Sequence, residues 1–262
     1  MVAEWAKNHD AGLITGALLW DLSSAFDTIN VELLCKKLVL YGTEQKAVNW
    51  FKSFLTDRRQ QVKVGDALSK PLPINVGCPQ GSLLSPLLFL IYISDMGLWV
   101  KEVQIHGYAD DTSTSVGAAN EDELVTKLEA DADRILRFMA SNELSVNGQK
   151  TGLLVIRKTR SPTTNVEIMV DGEKITEEKS HRILGLTVDG SLSWSDHVYG
   201  KGGLLSAVNQ RIGAIKRLSH QIPRRHLPQI ANAIVVSKIR YGLSVYCPTR
   251  TTEQDPTSGM AR

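Results

Sequence analysis

The chain has 262 residues, 42% apolar and 22% charged, with a net charge of +2. These proportions exclude a disordered or low-complexity chain and permit one large or two smaller packed domains. The longest apolar run, from Leu87 to Ile93, is far short of the ~20 residues of a membrane span. Three scattered cysteines (Cys35, Cys78 and Cys247) argue against a zinc site or disulfide framework and fit a reducing, intracellular compartment, nuclear or cytoplasmic.

The first apolar run, from Ile14 to Trp20, is bounded by Gly12 and Asp21 and reads as a buried strand. Residues 31–41 carry apolar positions at helical spacing, with Gly42 as a stop. Residues 45–55 read as a second helix, and residues 60–65 as a strand ending in a Gly-Asp turn. Pro71, Pro73, Gly77, Pro79 and Gly81 punctuate a loop. Ser85 and Pro86 then open a helix to about residue 99, with Ser85 as its cap.

Two β-rich runs, 103–108 and 112–116, flank Ala109 and Asp110 and predict a hairpin beside the Ile14 strand. Asn120, followed by three acids, predicts the start of a helix to about residue 143. Residues 153–157, 166–170 and 182–188 are candidate strands. From Ser195 the pattern turns helical, with breaks at Pro223 and Pro228. The charge changes sign along the way. Residues 1–196 sum to −6, whereas residues 197–240 hold eight Lys or Arg and no acid. Either a polyanion partner or a solvated basic face accounts for that stretch. The last dozen residues read as a polar tail.

Three features carry chemistry. Asp21 ends a buried strand, where a carboxylate requires donors or a cation, although a turn aspartate is the simpler reading. Asp110 and Asp111 adjoin at a hairpin tip and become useful if a divalent ion joins them to a third carboxylate. In the segment 77–86, glycines and prolines bracket Gln80, so that a nucleotide or template strand could lie against the backbone. Asp27 reads as a helix-start acid before Val31.

In this order, Trp20-Asp-Leu-Ser-Ser-Ala-Phe-Asp-Thr-Ile29, Gly77-Cys-Pro-Gln-Gly-Ser-Leu-Leu-Ser-Pro-Leu-Leu-Phe89 and Tyr108-Ala-Asp-Asp111 resemble motifs A, B and C of reverse transcriptases, most closely those of non-LTR retrotransposons. Residues 144–151 resemble motif D, residues 183–189 the primer-grip motif E, and residues 241–246 a segment near the end of the thumb. The resemblance implies an α/β (α+β) polymerase palm over residues 1–196, its antiparallel sheet flanked by helices. A basic helical thumb over 197–250 and a tail over 251–262 follow.

It also implies RNA-directed DNA polymerisation on an RNA template and DNA primer with deoxynucleoside triphosphates and two Mg²⁺ ions, Mn²⁺ substituting. Asp21, Asp110 and Asp111 would bind metal, with the Leu22 carbonyl as a further ligand. Phe26 would be the steric gate, Gln80 and Gly81 would contact nucleotide and template, and Lys150 would protonate the leaving pyrophosphate. Gly185, Lys201, Arg211, Lys216 and Arg217 would hold the duplex, by its phosphates. Only twenty residues precede Asp21, with Lys7 their single Lys or Arg, so a chain lacking fingers is expected. The alternative is a catalytically silent remnant that binds nucleic acid through its basic end. A glycosidase-like carboxyl pair is disfavoured, because an exposed turn offers no apolar pocket to keep one acid protonated.

Overall fold

The structure, a computed structural model, describes residues 1–158 and 165–246; Cys247 and the expected tail lie outside them. It divides into two compact units, Ala3–Lys179 and a second from Ser180 onward. Residues 180–196 group with the second unit, because their hairpin packs on the helix that follows it.

The first unit is built on a six-stranded sheet. β1 (Ile14–Trp20) sits between β7 (Asp111–Ala118) and β8 (Gly152–Ile156), antiparallel to both. β6 (Gln104–Tyr108) completes the hairpin with β7 at one edge, and β10 (Glu173–Glu178) with β9 (Glu167–Val170) forms the other. The expected hairpin therefore stands beside the Ile14 strand. Gly16 has a packing reason: a Cβ there would lie 2.7 Å from Leu128 of α5 (Glu121–Ser141). Leu18, Trp20, Leu153 and Val155 share one buried core with α2 (Val31–Leu40), α4 (Ser85–Ile93) and α5. Trp20 is accommodated in this core, and its indole N–H donates to the Thr114 hydroxyl at 3.0 Å.

The opposite face of the sheet carries an element absent from the sequence reading, α1 (Val2–Asp10). Asn8 of this helix donates to the Thr15 hydroxyl at 3.1 Å, and Trp5 is completely buried. Other expectations need correction. Residues 60–65 are not one strand: β2 (Arg58–Gln60) pairs with β5 (Leu72–Ile74), inside the expected loop, while Lys63–Val64 pairs with Ala67–Leu68 around Gly65. Ser85 is not a cap. It lies inside α4 and its hydroxyl donates to the Pro79 carbonyl at 2.7 Å. Asn120, by contrast, caps α5 as expected, accepting from the Glu123 N–H.

In the second unit, residues 182–188 turn back on themselves. Ser180–Ile183 pairs with Leu186–Asp189 around Leu184 and Gly185, both with positive φ, the geometry of a tight two-residue tip. Pro228 starts a helix, Leu227–Ala231, where its missing N–H is not needed.

Candidate active site

Trp20 faces Thr112 across the β1–β7 ladder. Extending that register by one residue sets Asp21 opposite Asp111, on one face of the sheet. Asp110 stands beside Asp111 in the two-residue tip, since Tyr108 pairs directly with Asp111. Ala109 takes φ 54° there, a left-handed conformation that costs a residue with a Cβ about 1 kcal/mol. Burial, then the charges of Asp110 and Asp21, push the Asp111 carboxyl above its ordinary range. These residues, 90 positions apart in sequence, thus share one electrostatic neighbourhood.

A third segment joins them. The Asp21 carbonyl accepts from Asn147 N–H at 2.8 Å, and Ser23 N–H donates to the Ser145 carbonyl at 2.9 Å. These bonds bracket the Leu22–Val146 bridge, and neither uses the Leu22 carbonyl. The turn from Asn147 to Thr151 then brings Lys150 Nζ to 4.0 Å from the Asp21 carboxylate. Lys150 is exposed, and its ammonium faces the strand end that carries Asp21.

Carboxylates and a carbonyl are the hard oxygen donors that a small dication takes. The like charges of Asp110 and Asp21 beside Asp111 are what such an ion would neutralise, so the donor set fits. As the side chains stand, however, no group of three or more His, Cys, Asp or Glu is gathered to hold a metal ion among the described residues.

The segment around Gln80 is stitched to the turn after Asp21. Gly77 N–H donates to the Ile29 carbonyl at 2.8 Å and Cys78 N–H to the Phe26 carbonyl at 2.7 Å. Gly77 has φ 80°, and a Cβ on it would meet the Asp27 backbone at 2.7 Å. Strain and clash together make Gly77→Ala cost about 2 kcal/mol or more. A denaturant midpoint unchanged in that variant would refute this close approach. Arg58, which the sequence reading did not single out, braces the same loop from its guanidinium to the Val76 and Gly77 carbonyls. The Phe26 ring packs tilted on Phe89, 5.3 Å between centroids. Asp27 is not the helix-start acid. Asn30 caps α2 by accepting from Leu33 N–H, and Asp27 instead receives Gln80 Nε2. Gly81 has φ 80° in the same loop.

The remaining predicted residues lie in the second unit. Gly185 and Lys201 line a cavity of about 430 Å³ together with Arg182, His197 and Lys238. The sequence reading missed Arg182 and Lys238 as cavity residues, because nothing local marks two bases 56 positions apart. Lys216 and Arg217 fall in the last turn of the helix Leu204–Leu218. Arg211, on the same helix, donates to the Ile234 carbonyl. No described helix is long and apolar enough to cross a membrane.

The family model described as reverse transcriptase (RNA-dependent DNA polymerase) matches residues 4–188. Among curated proteins, the chain is 28% identical over 245 residues to the RNA-directed DNA polymerase from mobile element jockey of Drosophila melanogaster, covering 88% of this chain and 26% of that protein. It is 30% identical over 191 residues to the probable RNA-directed DNA polymerase from transposon BS of the same species, covering 70% and 21%. The chain thus spans about a quarter of the length of the curated relatives it matches. Among solved structures, telomerase from Candida tropicalis in complex with a TWJ fragment of telomeric RNA aligns with a TM-score of 0.52 at 12% identity, over 93% of this chain and 42% of that one. That likeness supports the polymerase-palm fold.

Proposed function

The chain belongs to the reverse transcriptase (RNA-dependent DNA polymerase) family, and from that premise we propose that it carries the polymerase centre of a non-LTR retrotransposon enzyme. The reaction copies an RNA template by adding deoxynucleotides to a DNA primer. One observation carries this reading: the β1–β7 register, whose last pair, Trp20 with Thr112, leads by one further residue to Asp21 and Asp111, with Asp110 at the adjoining tip.

In this reading Asp21, Asp110 and Asp111 hold two Mg²⁺ ions, or Mn²⁺ in their place, with the Leu22 carbonyl as a further ligand. Bound there, such ions stabilise the attacking and leaving oxygens of an in-line phosphoryl displacement. The protein's own groups do the rest. Lys150 holds a proton at Nζ near Asp21 for the departing pyrophosphate. Phe26, steadied by Phe89, closes the space that a ribose 2′-hydroxyl would need. Gln80 and Gly81 meet the incoming nucleotide and the template base.

The basic stretch 197–250 is the thumb, in which Lys201, Arg211, Lys216 and Arg217 hold the duplex by its phosphates, and Gly185 meets the duplex from the primer-grip segment 183–189. Such binding is sequence-independent and weakens with salt, log K falling by about 0.9 per neutralised phosphate for each log unit of salt. Replacing Lys216 and Arg217 by Ala is expected to reduce that slope by about 2 on an RNA–DNA duplex. A fluorescence-anisotropy titration over a salt series measures it, and an unaltered slope removes these two residues from the interface. Primer extension on an RNA template with Mg²⁺ tests the activity. A chain that binds duplex but incorporates nothing would be the silent remnant.

A further inference from the structure

Resting on that reading, we infer that Asp27 is a positioning residue for the incoming nucleotide, acting through the side-chain amide of Gln80. Gln80 Nε2 lies 3.0 Å from both carboxylate oxygens of Asp27. Two oxygens of one carboxylate, seen from a single nitrogen, lie closer in direction than the two N–H bonds of an amide. One N–H is therefore shared between them, and the bond is charge-assisted. The planar amide is left with its carbonyl oxygen and second N–H for a ligand.

Both ends of this tie are anchored by backbone. Asp27 N–H donates to the Ser24 carbonyl at 2.8 Å, and Asp27 is pressed against Gly77, where no side chain fits. The Phe26–Cys78 and Ile29–Gly77 bonds hold the two segments together on either side of it. Next to Gln80, the Pro79 carbonyl accepts from the Ser85 hydroxyl at the start of α4. Gln80 and Asp27 are both exposed, so nothing in the core demands their contact. Its consequence is directional. An untethered glutamine must be ordered when a ligand arrives, whereas a tethered one is already aimed.

The expected effect falls on nucleotide affinity. In steady-state primer extension, Asp27→Ala raises the KM for deoxynucleotide about tenfold, the scale of one charged hydrogen bond, and leaves kcat within about twofold. Asp27→Asn, which retains one acceptor oxygen, falls between the two. The double variant Asp27→Ala/Gln80→Ala is no worse than Gln80→Ala alone, as residues acting through one contact require. Additive losses, or a fall in kcat at constant KM, overturn the inference.

A second measurement requires no turnover. The side-chain amide resonances of Gln80 are shifted and protected from exchange in the wild-type chain and revert in Asp27→Ala. Identical amide signals in both proteins also overturn the inference. A chain that extends no primer yet shows the shifted amide overturns the polymerase reading and the nucleotide role together, leaving a structural tie.

Discussion

Asp110→Asn is expected to reduce primer extension by about 10³-fold or more while leaving the fold intact or more stable. Removing one charged ligand from a two-ion centre removes several kcal/mol of transition-state stabilisation, and about 4 kcal/mol corresponds to 10³. The stability half of the prediction follows from Asp111. Its folded carboxyl is held above the ordinary value by burial and by the Asp110 and Asp21 charges. A raised acid contributes its stability below the unfolded value and loses it as pH rises through the folded one. Near neutrality the cluster therefore works against folding, and neutralising Asp110 relieves part of that repulsion. In metal-free buffer the variant should melt at or above the wild-type temperature. Added Mg²⁺ should raise the midpoint of the wild type, since a ligand bound only by the folded state stabilises it, and raise the variant's less. Calorimetry with and without Mg²⁺, beside the extension assay, checks both halves. Full activity in Asp110→Asn would end the two-ion reading.

Asp131→Ala is expected to destabilise the first unit by about 3–5 kcal/mol, a large part of the total for an ordinary domain. Asp131 lies on α5 with no exposed surface. Its carboxylate accepts the backbone N–H groups of Lys101, Glu102 and Val103, the last two at 2.7 and 2.8 Å, and pairs with Arg134. Truncation leaves three donors without their acceptor at the entry to β6, the strand that leads to Asp110. The midpoint of thermal unfolding should fall by about 10 °C. Burial alone would raise this carboxyl, but the Val103, Glu102 and Lys101 amides and the Arg134 guanidinium bring it below the ordinary range. A lowered acid contributes stability above its unfolded value, ~3.9, and loses it as pH falls through the folded one. The variant should accordingly lose less stability than the wild type between about pH 4 and 2. Asp189, lowered against its own burial by the Ser191 and Ser193 groups, keeps a share of that acid sensitivity in both proteins. An unchanged midpoint for Asp131→Ala would show that this cap is dispensable.

Much of the frame was legible in the chain alone. The apolar run at Ile14–Trp20, the helical spacing over Val31–Leu40 and Gln45–Leu55, and the Asn120 cap each sit where local pattern placed them. The order of Asp21, Gln80 and Asp110-Asp111 was legible too, because a side chain's chemistry is a property of the residue. Short exposed strands were not: β2 is Arg-Arg-Gln and β5 is Leu-Pro-Ile, each too short to show a period, and their pairing depends on a partner that periodicity cannot see.

What the sequence determined by itself was therefore most of the longer elements, α1 excepted, and the inventory of acids, amides and bases, since these rest on periods of two and 3.6 and on residue identity. Tertiary structure alone decided which of them meet. It turned Asp27 from a supposed helix-start acid into the partner of Gln80, set Lys150 against Asp21, and spent Asp131 on a loop 28 residues away. Those contacts depend on register across the sheet and on backbone bonds between distant segments. A hydrogen bond is decided by tenths of an ångström, a scale that no local pattern of residues encodes.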